Sequence, residues 1–248
     1  MRRPLLALSA ALALGAAPAL LLAQDKEPAK EEKSEKTEKT EKAAEKPWLP
    51  KADDFTKALL DVVKSYPTDG THKYHWPRQG SWPGTTRDLF YEGQKVCEGD
   101  PEKRCYCCGL TFEAFFRAWE KCCEDAKRPF KILALDAKGV TDLRHEWFGP
   151  TEKDRTTLQK AITRFELGKK IDLKDARAGD FCQFWRRSGN GHSVILLEVQ
   201  KDEKGEPVAL RYWSTQSSTN GVHENVEKFG THKSGVIVDE TYVARVGS

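Results

Sequence analysis

The sequence has little surplus charge of either sign: 41 Lys+Arg stand against 38 Asp+Glu, a net charge of +3 over 248 residues. A chain that grips nucleic acid through its phosphates carries a strong basic excess, so no nucleic-acid partner is expected. Long apolar runs are also missing, apart from one at the amino terminus, Pro4 to Ala23. There is no G-x-S-x-G elbow, no P-loop and no internal repeat. His223-Glu224-Asn225-Val226-Glu227 lacks the second His of a zinc-protease helix. Carboxylates are so abundant that no glycosidase pair stands out.

The amino-terminal run follows Arg2 and Arg3, continues through an Ala/Leu stretch from Leu5 to Leu22, and ends at a small-residue cleavage point, Ala23-Gln24. That order reads as a secretory signal peptide over residues 1–23, and an uncleaved anchor is the alternative. Cleavage leaves no further membrane span and places the chain outside the cytoplasm, secreted or periplasmic. Residues 24–47 are nearly pure Lys, Glu, Thr and Ala, with seven Lys and eight Asp/Glu between Asp25 and Pro47. Such a segment has no apolar stripe to bury and cannot recover the entropy of ordering, so it reads as a disordered spacer. A solvated single helix held by i,i+4 pairs is the other possibility. Residues 48–248 remain, enough for one domain, and they hold all seven Trp and all seven Cys.

Those cysteines are Cys97, Cys105, Cys107, Cys108, Cys122, Cys123 and Cys182. An oxidising compartment permits disulfides, and Cys97 with Cys105 would close a short loop. An odd count leaves at least one thiol unpaired or joined to another molecule. A zinc staple is the rival reading, with His72 and His75 assisting, but Cys105-x-Cys107-Cys108 and Cys122-Cys123 do not have the spaced pairs that zinc prefers. No cofactor is expected.

Periodicity sketches the domain. Phe55, Ala58, Leu59, Val62 and Val63 form a helical stripe within Asp53 to Ser65. Residues 66–106 show no period, and so long an irregular stretch is often functional. Cys107 to Pro129 is apolar round a wide arc, as a helix buried against a sheet would be. Thr156 to Leu167 reads as a second surface helix. Short β-branched and aromatic runs follow at Asp180 to Trp185, Ser193 to Val199, Val208 to Thr215 and Thr241 to Val246. Asn190-Gly191 marks a turn, and Lys201 to Pro207 the tip of a hairpin. Helices followed by consecutive strands predict an α+β domain on an antiparallel sheet.

Acyl transfer by a thiol needs an ionised Cys, a His beside it and a group that orients the His. Cys107 and Cys108 fall where the buried helix should begin, and a helix N-terminus favours the thiolate and offers N–H groups to an oxyanion. Gly109 allows close backbone approach. His192 begins an apolar strand. A Cys on a helix start and a His on a strand start form a papain-type arrangement. Asp180 reads as a turn former rather than an acid, and the stretch Tyr74 to Trp82 as either cleft lining or core.

Cys107-Cys108-Gly109-Leu110-Thr111 resembles the Cys-Ser-Gly-Leu-[Val/Thr] motif of the NlpC/P60 cysteine peptidases, a permuted branch of the papain-like superfamily. Ala178-Gly179-Asp180-Phe181 and Gly191-His192-Ser193-Val194-Ile195-Leu196 are similar to that family's Pro-Gly-Asp and His strands, and Tyr242-Val243-Ala244-Arg245-Val246 to its closing Ala-Arg-Arg strand. The likeness spans roughly residues 90 to 248, in the same order. It departs at Tyr106, where the family has Asp, and at Cys108, where it has Ser.

The resemblance implies a papain-like fold with Cys107 as nucleophile, Cys108 being the alternative, and His192 as base. It places a third polar residue on the next strand, for which Gln216 is preferred over Ser214, with Asn220 and His223 slightly beyond. It implies an exported thiol hydrolase that cleaves an amide bond, with a peptide or peptidoglycan stem peptide as substrate. Two non-enzymatic alternatives stand beside it: a cell-wall-binding module on the same fold, and a disulfide- or zinc-stapled structural domain.

Overall fold

A computed structural model describes residues 47–79, 82–149 and 154–248. The signal-peptide reading and nearly all of the spacer reading therefore lie outside the described residues. The fold is mixed α+β, with four α-helices and a six-stranded antiparallel sheet.

Helix α1 (Ala52–Lys64) buries Phe55, Ala58, Leu59, Val62 and Val63, the predicted stripe. Helix α2 (Cys107–Asp125) buries thirteen of its residues, including an unbroken run from Cys108 to Phe116, as befits an element covered on most sides. It ends before the expected Lys127-Arg128-Pro129 boundary. Lys127 turns left-handed (φ 53°), and Arg128 N–H donates back to the Cys123 carbonyl at 2.8 Å.

Helix α3 (Ala137–Phe148) has no counterpart in the sequence reading, although its signals are ordinary ones. Asp136 caps it by accepting from Gly139 N–H at 2.7 Å; Val140, Leu143 and Trp147 share its buried side; and Gly149 closes it at φ 65°. Helix α4 (Thr157–Arg164) is shorter than the predicted Thr156 to Leu167. It buries Leu158, Ala161 and Ile162, so it is a packed helix rather than a merely superficial one.

A small hairpin, β1 (Leu89–Tyr91) with β2 (Gln94–Cys97), lies inside the stretch that showed no period. It turns on Glu92 and Gly93, both with positive φ. The large sheet holds β3 (Gly168–Ile171), β4 (Phe181–Arg186), β5 (Gly191–Lys201), β6 (Pro207–Gln216), β7 (Gly221–Lys228) and β8 (Val236–Val246), in the order β3-β8-β4-β5-β6-β7. Strands β3 and β7 were not predicted: one is four residues long, and the other alternates with few apolar residues.

Period-2 alternation divides the sheet's two faces. Phe181, Ile195 and Trp213 join the helices in one aromatic core, where Phe181 meets Trp147 at 5.0 Å and Phe115 at 6.3 Å. Cys182, Phe184, Val194, Leu196, Leu210 and Tyr212 form a second cluster on the other face with Val236 and Val243. The sheet curls around that cluster. Phe229, just past β7, bridges Val236 at the start of β8, and Val236 also pairs with Arg186 of β4.

Asp180 is a structural corner, as its sequence context suggested. Its carboxylate is fully buried, accepts Arg177 N–H at 2.8 Å and takes two bonds from Arg245 at 2.7 and 2.8 Å. Gly179 beside it has φ 85°, and a side chain there would strike Thr56 of α1.

Candidate active site at the start of helix α2

Cys107 is the first residue of α2, and Tyr106 before it is extended (φ −126°, ψ 166°) with no side-chain cap. The first helical bond runs from Leu110 N–H to the Tyr106 carbonyl at 2.9 Å, so the N–H groups of Cys107, Cys108 and Gly109 precede the ladder. The loop before β1 lies across this end. A Cβ on Gly109 would sit 2.0 Å from the Gly84 carbonyl oxygen, and one on Gly84 would sit 2.3 Å from the Tyr106 ring. Two glycines thus let backbone meet backbone where the helix begins.

Cys107 is half-buried, and its thiol is held well below the ordinary thiol range. A hydrogen bond from the Cys108 thiol is the largest cause. Burial opposes it, while a hydrogen bond and positive charge from His192 and the backbone N–H of Ser193 add to it. Cys108 moves the other way, raised by donating to Cys107 and by burial. Burial raises every other thiol too: Cys105 and Cys122 to about 12, and Cys97, Cys123 and Cys182 upward as well. One sulfur in seven is set up as an anion.

His192 stands second in β5, opposite Phe184 of β4, and is 5% exposed. Its ring meets Phe184 at 5.7 Å and Tyr212 at 5.5 Å, both nearly perpendicular. Its Nε2 is buried without a hydrogen-bond partner among the described residues. The residues expected to orient it are occupied elsewhere. Gln216 faces the Tyr212 hydroxyl at 3.2 Å, Ser214 donates to the Ser193 carbonyl at 2.8 Å, and the Asn220 side chain packs at Gly70. The exposed His223 turns its Nδ1 to the Glu224 carbonyl at 2.8 Å.

The residues behind His192 went unnoticed in the sequence. Tyr212 donates to Glu227 at 2.5 Å, and Arg186 holds the same carboxylate with two bonds at 2.6 and 2.5 Å. Burial opposes ionisation of Glu227, but the bonds from Arg186 and Tyr212 and the charges of Arg186 and His192 outweigh it and lower its carboxyl. The only advance signal was Glu227 in a polar run that carried no motif.

Tyr74 forms the site's flank. It is half-buried, bridges Cys105 in parallel, and its hydroxyl is pushed up to about 12 by burial and by the two sulfurs of Cys107 and Cys108. Beyond it, Trp76 and Trp82 meet edge-to-face at 5.3 Å, each about half exposed, and Trp76 also meets Tyr106 at 5.1 Å.

All seven cysteines are free thiols, Cys97 and Cys105 included, so no disulfide framework is present in this structure. Among the described residues, no group of three or more His, Cys, Asp or Glu gathers as metal ligands. His72, one of the suggested zinc helpers, turns its Nδ1 to the Lys103 carbonyl at 2.9 Å. No helix among the described residues is long and apolar enough to cross a membrane. No family model matches the chain, and no curated protein or solved structure matches it either.

Proposed function

We propose that the chain is an exported thiol hydrolase with papain-like architecture of the NlpC/P60 type, cleaving an amide bond in a peptide such as a peptidoglycan stem. One observation carries the reading: Cys107 is the single thiol drawn toward the anion, at a helix start, with His192 beside it. The pairing of Asp180 with Arg245, two residues of the motifs that resemble that family, supports the architecture.

The Cys107 thiolate attacks the amide carbon, and the C=O electrons move onto oxygen. N–H groups at the start of α2 stabilise that oxyanion. The C–N bond breaks as His192 delivers its proton to the leaving amine. Water, deprotonated by His192, then attacks the thioester carbon, the C–S bond breaks, and the acid leaves with the Cys107 thiolate and protonated His192 restored. Tyr74, Trp76 and Trp82 form the wall against which the substrate lies.

The test is hydrolysis of defined stem peptides by the purified chain and its Cys107→Ala variant. Turnover that survives the substitution rejects Cys107 as nucleophile. The exposed Trp76–Trp82 pair favours a second reading, a binding module on the same fold. Retention on isolated cell wall with no turnover of any peptide selects it.

A further inference from the structure

His192 has no amide or carboxylate on its Nε2, yet a charged cluster is built behind its ring. Arg186 and Glu227 belong to β4 and β7, and β5 and β6 lie between those strands in the sheet. The pair therefore reaches across the curled face over the strand that carries His192 and the one that carries Tyr212. Its side chains are only 17% and 15% exposed. Asn225, opposite Tyr212 on β7, donates to the same hydroxyl at 3.1 Å. A buried ion pair of this kind is weak evidence for stability, since apolar residues of similar volume often serve as well. Clusters like it are common where a neighbouring group must be tuned.

We propose that Glu227, acting through the Tyr212 ring and hydroxyl, is the positioning residue for His192, replacing the polar third member expected on β6. The Tyr212 hydroxyl gives its hydrogen to Glu227, which makes the ring more electron-rich where it meets the imidazole. Phe184 completes a triangle with the imidazole and the Tyr212 ring, which it meets at 5.6 Å, and the Arg186 guanidinium lies 5.1 Å from the Phe184 ring centre. The groups around the imidazole are Cys107 from α2 with the neutral Cys108 beside it, Arg186 from β4, Glu227 from β7 and the neutral Tyr212 from β6. Cys107 and Glu227 bring negative charge toward the ring, and Arg186 brings positive charge. This proposal rests on the hydrolase reading only for its purpose; the coupling itself can be measured without turnover.

The experiment follows the imidazole NMR signals of His192 in the full chain through a pH titration, and in parallel the pH profile of Cys107 alkylation by iodoacetamide. Glu227→Gln should move the His192 transition, and the alkaline limb of the alkylation profile, down by about half a pH unit or more. Arg186→Gln should move both up, and Glu227→Asp should restore most of the wild-type position. A network that merely braces the sheet lowers the melting temperature in both variants and gives no opposed shifts. Unmoved transitions, or shifts of the same sign, overturn the proposal. Opposed shifts at His192 with no pH limb in Cys107 alkylation keep Glu227 as the positioning residue but reject the thiolate–imidazolium pair, so the two failures are told apart.

Discussion

The carbonyl oxygen of Gly84 occupies the space into which any side chain on Gly109 would grow, 2.0 Å from the ideal Cβ. Both partners are backbone, so neither can step aside cheaply. Gly109→Ala should destabilise the domain by about 2 kcal/mol or more, an overpacking cost. It should also slow alkylation of Cys107, because the loop and the helix start must part. Thermal denaturation and a labelling time course measure the two effects together, and a wild-type melting curve would show that the contact is looser than described.

Labelling should be selective. At pH 6 to 7 a thiol-reactive probe is expected to modify Cys107 well ahead of the other six, whose thiols are raised by burial. Peptide mapping after brief exposure tests this. Cys108→Ala removes the largest contribution to the lowered Cys107 thiol, so its half-labelling pH should rise toward the usual 9.0. A midpoint that stays put would mean that His192 and Ser193 suffice.

Protonating Cys107 works against the fold. A thiol lowered in the native state stabilises it above the unfolded thiol value, and the contribution is lost as pH falls through the lowered native value. Wild type and Cys107→Ala, compared by urea denaturation, should therefore differ more at pH 9 than at pH 5, after allowance for the small cavity. Equal differences at both would contradict the lowered thiol.

Glu113 is fully buried on α2 and accepts from Tyr66 at 2.7 Å and from the Thr86 N–H and hydroxyl at 2.6 and 2.7 Å, with Arg87 at 3.2 Å. It ties the loop before β1 to the helix that carries the thiol. Glu113→Ala strands three donors and should cost about 3 kcal/mol, whereas Tyr66→Phe removes one bond and should cost about 1 kcal/mol. Denaturant midpoints decide, and equal costs would point away from a shared node.

Asp180→Asn should behave as a stability variant. Its buried pairing with Arg245 breaks, at a cost of about 3 kcal/mol. Below the melting temperature, Cys107 labelling should keep its wild-type pH profile. A changed profile with unchanged stability would make Asp180 part of the chemistry.

How much of this was legible in advance depends on what kind of signal each element carries. The Phe55 to Val63 stripe and the apolar arc of α2 are periodic and long, so they read directly. The start of α2 at Cys107 was legible because apolar residues begin there abruptly after a Gly/Pro-rich stretch. Helix α3 was missed despite its Asp136 cap and Gly149 stop, since only Ala137, Val140, Leu143 and Trp147 mark its buried side. The order of the sheet was not legible, because β8 enters between β3 and β4 and nothing local announces a partner fifty or more residues away.

Cys107 and His192, named from residue type, context and the family resemblance, are brought together by the fold. The group behind His192 was not legible, because the resemblance implies a polar residue on the adjacent strand. Glu227 lies one strand further along and works through a tyrosine. Charge carried over two strands leaves no spacing in the sequence to find.

Strand β8 has a consequence for the order of events in a cell. It follows every other strand of the sheet in sequence, yet it sits inside the sheet, hydrogen-bonded to β3 on one side and β4 on the other. Beyond it, Gly247 and Ser248 bond back to Leu167 and Pro50. A growing chain can form its early helices, but β3 and β4 must wait with the edges that β8 pairs left open until residues 236–246 arrive. Since β4 carries Arg186 and Phe184, the surroundings of the His192 imidazole are completed only once β8 has paired with β4.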